Sequence, residues 1–428
     1  MLKIFGPAIV SALSRASLRD PQFRRGRLGL LDPSQTGAGS PRIWFHAASV
    51  GEATGAVPTL RALSKRLPGA AIMLSSGTPQ GLRFARGQLP DIPVFPFPLD
   101  FPASVSRALE IVRPDLFVAF ETEFWPNFYN ALAGRSIPAL LLNGRVSESS
   151  ARFYNRASPL FGPIFKQFEL MAMHSEEDRD RMLSLGAPSE RLLVTGSSKY
   201  EDLPRKALPE RASYWKSLFR IGEDTTVVLG GSLRKSECTE LMWIFGDLRR
   251  LSPQLLGVFV PRHLERISRM ADWLTERGIA FDLLTDLESG RVERSAPVVL
   301  VDRIGVLFEL YSIGDLIFCG GTLEPIGGHN ILEPAAWSKP VFYGPHLKKI
   351  LHEHRILHNF SGSFPVRDIE DLRRQWRKWI TDIEGLEKHG PRAKEALRLL
   401  GGVVERQVGL IVDILSKRKL LTGSDAKT

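Results

Sequence analysis

The densest group of chemistry-bearing residues is CGGTLEPIGGHNILEPAAWSKPV, residues 319–341. Gly320 and Gly321 would end a strand, and Gly327 and Gly328 would open a helix starting near Asn330. A glycine-rich turn at a helix N-terminus lets backbone amides approach a phosphate and adds the helix's partial positive charge. Glu333, one turn in, could take the hydroxyls of a nucleotide ribose, as an acidic residue does in dinucleotide sites. The spacing is neither a GxGxxG after the first strand nor a Walker A loop, which disfavours a nicotinamide enzyme and a P-loop NTPase. Nearby strand ends add cations: GGS (230–232) leads into Arg234 and Lys235, and VPRH (260–263) carries Arg262 and His263.

A second set of residues lies in the first half. HAASVGEATG (46–55) offers small residues, with Ser49, Gly51 and Glu52 at the start of a helix. Glu52 fits a functional carboxylate, but a plain capping carboxylate has the same signature and is the commoner case. In ETEFWPNF (121–128), Glu121, Glu123 and Asn127 surround Trp125 and could grip a sugar. A helix N-terminus with Pro126 in its first turn would look the same. Carboxylates at a strand end are awkward to bury without a partner, which favours binding. NGRVSESSARFY (143–154) carries Arg145 and Arg152, and GSSKYED (196–202) carries Lys199, suited to an anionic substrate or simply to the surface. No HExxH or CxxC pattern occurs, and neither Cys238 nor Cys319 has a Cys or His neighbour at metal spacing. Both cysteines read as core residues of a reduced protein, and neither a metal nor a cofactor is expected.

Short β-rich runs position these loops. IWFHAA (43–48), AIMLSS (71–76), VFPFPL (94–99), LFVAFE (116–121), ALLLNG (139–144), ELMAMH (169–174) and LLVTG (192–196) alternate with amphipathic stretches. The pattern restarts with TVVLGGS (226–232), LLGVFVPR (255–262), FDLLTD (281–286), VVLVD (298–302), LIFCGG (316–321) and VFYG (341–344). Continuous apolar strands alternating with helices predict parallel sheets covered on both faces. EDLPRKALPERAS (201–213) reads as a linker, and long helical patterns at 370–384 and 387–416 close the chain. The expected architecture is α/β: two Rossmann-like doubly wound domains facing a central cleft, the GT-B arrangement. The expected segments are 1–40, basic and membrane-proximal; 41–203 and 204–400, the two Rossmann-like domains, which the resemblance described below makes the acceptor side and the nucleotide-sugar side; and 401–428, a helix and tail.

At 428 residues two domains are the default. A formal charge of +10 calls for an acidic partner, such as nucleic acid, anionic lipid or a phosphorylated substrate. Lys3, Arg15, Arg19, Arg24, Arg25, Arg27 and Arg42 face only Asp20 and Asp32 in the first 50 residues. The apolar stretch between Lys3 and Arg15 is about ten residues, half of what spans a bilayer. It suits an anionic headgroup region or a first helix docked on the protein. The basic residues are dispersed and no nucleic-acid module is recognisable, so nucleic acid is not expected as a partner.

In order along the chain, HAASVGE, ETEFWPN, NGRVSESSAR, the Gly196–Lys199 turn, PRHLER, GGTLEPIGGHNILEPAA and PVFYGPH resemble signatures of the 3-deoxy-D-manno-octulosonic acid (Kdo) transferase family of lipid A biosynthesis. The resemblance runs from about residue 20 to 400. It implies an inverting GT-B transferase moving Kdo from CMP-Kdo to a lipid A precursor at the cytoplasmic face of the bacterial inner membrane. Gly327, Gly328, Asn330 and Glu333 would hold ribose and phosphate. Arg262, His263 and Lys199 would neutralise phosphate and the Kdo carboxylate. The Ser49–Glu52 and Glu121–Asn127 loops would face the sugar site.

The family pattern also has departures here. Its Gly-Glu-Arg-x-Gly glutamate, the proposed general base, corresponds to Gly26 in Arg25-Gly26-Arg27-Leu28-Gly29. Glycine cannot take a proton, and losing a general base costs about 10²–10⁴ in rate. Its Met-Gly-Glu-Leu turn is Ile304-Gly305-Val306-Leu307, where the backbone at Gly305 could still read a base, and its Ser-Thr-His segment is Ser232-Leu233-Arg234. Three readings follow: a Kdo transferase whose base is Asp20, Asp32 or Glu52; a divergent member using another CMP-sugar or acceptor; or a non-catalytic, membrane-peripheral protein binding nucleotide or lipid A.

Overall fold

The computed structural model describes residues 20–421. The apolar stretch between Lys3 and Arg15 and the end of the charged tail lie outside them. The described residues form two compact units, one running to Glu201 and resuming at Leu400, the other Asp202–Leu399.

The first unit holds β1 (Arg42–His46), β2 (Ala71–Ser76), β3 (Val94–Pro96), β4 (Leu116–Phe120), β5 (Ala139–Gly144), β6 (Phe168–Met173) and β7 (Leu192–Val194). They form one parallel sheet in the order β3-β2-β1-β4-β5-β6-β7. Strand side chains alternate between faces. Ile43 and Phe45 therefore enter one core with Leu74 and Val118, and Trp44 enters the other with Met73 and Phe117. Both faces are covered, which is why these strands read as unbroken apolar runs.

The second unit repeats the plan. Its strands are β8 (Val227–Leu233), β9 (Leu256–Pro261), β10 (Phe281–Leu283), β11 (Val298–Leu300), β12 (Leu316–Cys319), β13 (Val341–Tyr343) and β14 (Ser363–Pro365). Their order is β10-β11-β9-β8-β12-β13-β14, all parallel. Each unit is a Rossmann-like doubly wound domain, and the fold class is GT-B. Strand order reverses between β1 and β4 in one sheet and between β8 and β12 in the other. Ligands of open α/β sheets bind at the carboxyl ends of the strands at such switch points.

Three sequence expectations change. The stretch 201–213 is helical for most of its length, in Leu203–Lys206 and the start of Pro209–Leu218, and the following Trp215 is fully buried. The helical pattern at 387–416 breaks at Gly402, whose φ of 71° is easy only for glycine. The terminal helix is not a separate segment. Val404, Val408, Ile411 and Leu415 recur on one face of Val403–Lys417 and join the core of the first unit. Glu201 accepts from the amides of Gly402 and Val403 at 3.1 Å each, satisfying two open N–H groups of that helix.

Candidate active site

In the first unit, the loops after β1 and β4 meet. Ser49 caps the helix Val50–Arg66: its Oγ accepts from the Glu52 amide, and the Glu52 carboxylate accepts from the Ser49 amide at 3.3 Å and from the Ala48 amide. The capping reading of Glu52 is therefore correct, and Gly51 sits exposed in the same turn. Glu52 is more than a cap, however. Burial, then the charges of Glu123 and Glu121, push its carboxyl well above the usual carboxylate range, against the two amides that favour ionisation.

The neighbouring carboxylates have fixed partners. Glu123 Oε2 lies 3.2 Å from His46 Nε2 and accepts from Trp125 Nε1 at 2.9 Å. His46 is the last residue of β1 and is buried. Its Nδ1 meets Ser75 Oγ at 3.0 Å, and its ring stacks on Phe97 at 3.8 Å. Glu121, at φ 58°, takes the Lys199 ammonium as its ion partner. Arg27 is buried close by. Its guanidinium donates to the Phe97 carbonyl at 2.7 Å, while its Nε has no hydrogen-bond partner among the described residues. Burial lowers its pKa to about 10, and the charge of Glu123 opposes that shift.

Other candidates fall elsewhere. Asn127 is exposed and bonds to Asp100, whose carboxylate caps Pro126–Gly134 through the Asn127 and Phe128 amides. Asn127 Nδ2 donates to the Asp100 carbonyl at 2.7 Å, and no bond joins it to the carboxylate cluster. Asp20 caps Pro21–Arg27 by accepting from the Gln22 and Phe23 amides, and Asp32 accepts from the Ser34 amide and hydroxyl. Both are exposed, and the bonds from Ser34 hold Asp32 below its ordinary pKa, which makes it a poorer proton acceptor. Of the three candidate bases, only Glu52 sits at the switch point. Gly26 is buried, and a Cβ there would lie 2.6–2.9 Å from three atoms of the Pro96 ring.

In the second unit, the loops after β8, β9 and β12 gather cations around the glycine turn. Arg234 Nε donates to His329 Nε2 at 3.2 Å, and its Nη1 lies 2.9 Å from His263 Nε2. Burial, then Arg234, Arg262, Lys349 and His263, pull His329 down to about 4, so its ring is neutral near pH 7. Gly327 and Gly328 take φ of 96° and 88°, and a Cβ on Gly328 would meet Ile350 at 2.6 Å, so both positions need glycine. Asn330 Oδ1 accepts from the Leu332 amide, and its Nδ2 donates to Glu333 Oε1 at 3.2 Å. Burial raises Glu333 to about 7, against Asn330, Lys206 and Arg262. Gly305 sits exposed at φ 93° after β11.

The Gly320–Gly321 half of the turn has a different task. The fully buried Glu237 carboxylate accepts from the amides of Gly321, Thr322 and Leu323 at 2.7–3.1 Å, and from Arg234 N at 2.8 Å. A protein carboxylate already fills that nest of amides and ties β8 to β12. The sequence reading missed Glu237, His46 and Asp100. Glu237 sits in an ordinary amphipathic helix, whereas His46, a polar residue ending an apolar strand, was a visible signal.

Among the described residues, no group of three or more His, Cys, Asp or Glu side chains is arranged to hold a metal ion, and no helix is long and apolar enough to cross a membrane.

The sequence model of the 3-deoxy-D-manno-octulosonic-acid transferases (kdotransferases) matches residues 23–202. A 3-deoxy-D-manno-octulosonic acid transferase of Haemophilus influenzae is 30% identical over 97% of this chain and 98% of its own length. One from Chlamydia pneumoniae is 33% identical over 75% of this chain and 73% of its own. Among solved structures, Anabaena HepE in complex with UDP superposes with a TM-score of 0.62 at 16% identity, covering 88% of this chain and 100% of that one. A UDP-GlcNAc 2-epimerase from Neisseria meningitidis gives 0.59 at 16%, covering 88% and 99%. These two likenesses concern the fold. The near-complete match to the Haemophilus relative decides the family: the chain belongs to the 3-deoxy-D-manno-octulosonic acid transferases.

Proposed function

We propose that the protein transfers Kdo from CMP-Kdo to a hydroxyl of a lipid A precursor, with inversion, at the cytoplasmic face of the inner membrane. The observation that carries this reading is a cluster in the second unit: Arg234 reaches His263 and His329, the residue that follows the Gly327–Gly328 turn, and the buried Glu333 lies four residues beyond His329. That cluster suits a nucleoside monophosphate leaving group: the turn and Arg234 take the phosphate, and Glu333 takes ribose hydroxyls. Arg262 offers a cation for the carboxylate of the sugar acid.

In a single displacement, the acceptor oxygen bonds to the anomeric carbon as the carbon–oxygen bond to CMP breaks, and the bonding pair leaves with the phosphate. The acceptor proton must go to a base. Glu52 supports that role because its raised pKa brings it towards the operating pH, where a general base works best. No metal is assigned a step. Membrane contact through the basic N-terminal segment belongs to the same proposal.

The absence of a glutamate at position 26 favours a second reading, a divergent member using another CMP-sugar or acceptor. The test incubates purified protein with CMP-Kdo and a tetra-acylated lipid A precursor and follows the acceptor by mass spectrometry. A gain of one or more Kdo units supports the first reading. No gain, with CMP still bound, rejects it in favour of the second or of a binding protein.

A further inference from the structure

A groove of about 780 Å³ lies on the second unit, and its lining shares no residue with the Arg234, His263, His329 and Glu333 cluster. The helix Glu237–Arg249 runs back from the end of β8 to the start of β9, carrying Arg249, Arg250 and Pro253 to the amino edge of the sheet. The helix Ile267–Thr275 makes the same return from β9 to β10 and brings Trp273 and Arg277 there. Nothing in the donor pocket reaches this edge.

The lining is aromatic and basic. The Arg373 guanidinium lies 5.0 Å over Trp243, and Arg277 lies 4.1 Å over Trp273. The only lining carboxylate, Asp247, is neutralised by Arg373 at 2.9 Å and Arg377 at 3.0 Å, leaving Arg249 and Arg250 in excess; Arg277 pairs with Glu276 at 3.3 Å, an exposed pair that water screens. Arginine near a helix C-terminus is ordinary. Its company is not: Trp243 is 43% exposed and Leu251, next to Arg250, is 50% exposed. A soluble anion would draw on the arginines and gain nothing from the leucine. A bilayer surface uses both, because indole rings settle at headgroup level while arginines pair with lipid phosphates.

We propose that this groove docks the second unit onto an anionic phospholipid surface, with Trp243 and Leu251 entering the headgroup layer and Arg249, Arg250 and Arg277 pairing with phosphates. This goes beyond the proposed transfer reaction, since it depends on neither donor nor acceptor and does not involve the N-terminal segment.

The test uses the full chain with vesicles of phosphatidylglycerol and phosphatidylethanolamine, and with phosphatidylcholine vesicles, by co-sedimentation. The intact protein should bind only the anionic vesicles. The R249Q/R250Q/R277Q variant should bind them roughly a hundred-fold more weakly, with CMP affinity unchanged as the measure of correct folding. Brominated phosphatidylglycerol should quench tryptophan emission in the intact protein and do so less in Trp243→Phe. The proposal is overturned if the triple variant binds vesicles as well as the intact protein, or if phosphatidylcholine serves equally. It is also overturned if the arginines bind only a soluble polyanion such as nucleic acid. Because vesicle binding is read without any sugar transfer, failure here leaves the transferase reading standing, and the reverse holds too.

Discussion

Gln407 Nε2 donates to Asn143 Oδ1 at 2.7 Å, joining residues 264 positions apart. The bond is one link in a buried chain: Thr59 Oγ1 donates to Gln407 Oε1 at 2.7 Å, Asn143 Nδ2 to Ser198 Oγ at 3.0 Å, and Ser198 Oγ to the Gly55 carbonyl at 2.7 Å. Ser198 precedes Lys199, the ion partner of Glu121, so the terminal helix helps fix the floor of the carboxylate cluster. Gln407→Leu strands the buried Thr59 hydroxyl and leaves Asn143 Oδ1 only the longer bonds from Ser198 at 3.3 Å. A stranded group costs about 1–3 kcal/mol, and urea denaturation should show a loss of that order.

The strands were legible because burial on both faces writes itself as apolar runs; thirteen of the fourteen are marked by such runs. β14 is the exception: its residues, Ser363, Phe364 and Pro365, form no apolar run. The glycine turn was legible because positive φ restricts Gly327 and Gly328 to one residue type. The partition of labour around it was not. Whether a carboxylate such as Glu237 fills a nest of amides depends on contacts 84–86 positions away, which no local spacing encodes. For the same reason the bond from Asn127 to Asp100, 27 positions away, was not legible.

Glu52→Gln should stabilise the protein increasingly as pH rises. With its folded pKa above the unfolded value, Glu52 keeps its proton longer in the folded state, so stability falls as pH climbs through that interval. The amide removes this cost and keeps an acceptor for the Ala48 and Ser49 amides. Thermal unfolding should therefore give nearly equal midpoints around pH 4 and a higher midpoint for the variant around pH 8. If Glu52 is the general base, transfer falls about 10²–10⁴-fold in the same variant.

Gly26→Glu should not restore a family base. A Cβ at 2.6–2.9 Å from the Pro96 ring cannot be relieved by a rotamer change, because that ring is rigid. Overpacking costs about 1–3 kcal/mol, while replacing a helical glycine by alanine returns only about 0.5–1 kcal/mol. Gly26→Ala should thus be neutral to about 2 kcal/mol less stable by chemical denaturation. Gly26→Glu should lose more and show no rise in transfer.

Glu237→Gln should damage the second unit far more than a surface change would. One amide oxygen replaces a carboxylate that now serves four backbone N–H groups, and the new NH₂ group points donors at donors. Bonds to a charged acceptor contribute about 1.5–3 kcal/mol each, so a loss of several kcal/mol is expected. CMP binding should weaken as well, because the β12 loop that carries Gly327 and Gly328 loses its anchor to β8. Calorimetry on the purified variant measures both.

Glu333 should give the proposed donor site a pH response near neutrality. Burial raises its pKa to about 7, so the carboxylate is ionised above that value and protonated below it. An ionised oxygen accepts a ribose hydroxyl far better than a neutral acid does. Affinity for cytidine, which carries no phosphate to titrate, should hold level above about pH 8 and fall below pH 7, by at most about tenfold per unit. Neutral His329, held at about 4, does not titrate in this window. In Glu333→Gln the profile should be flat and sit near the low-pH value of the intact protein. A variant that retains the same slope would mean that another group, and not Glu333, reads the ribose.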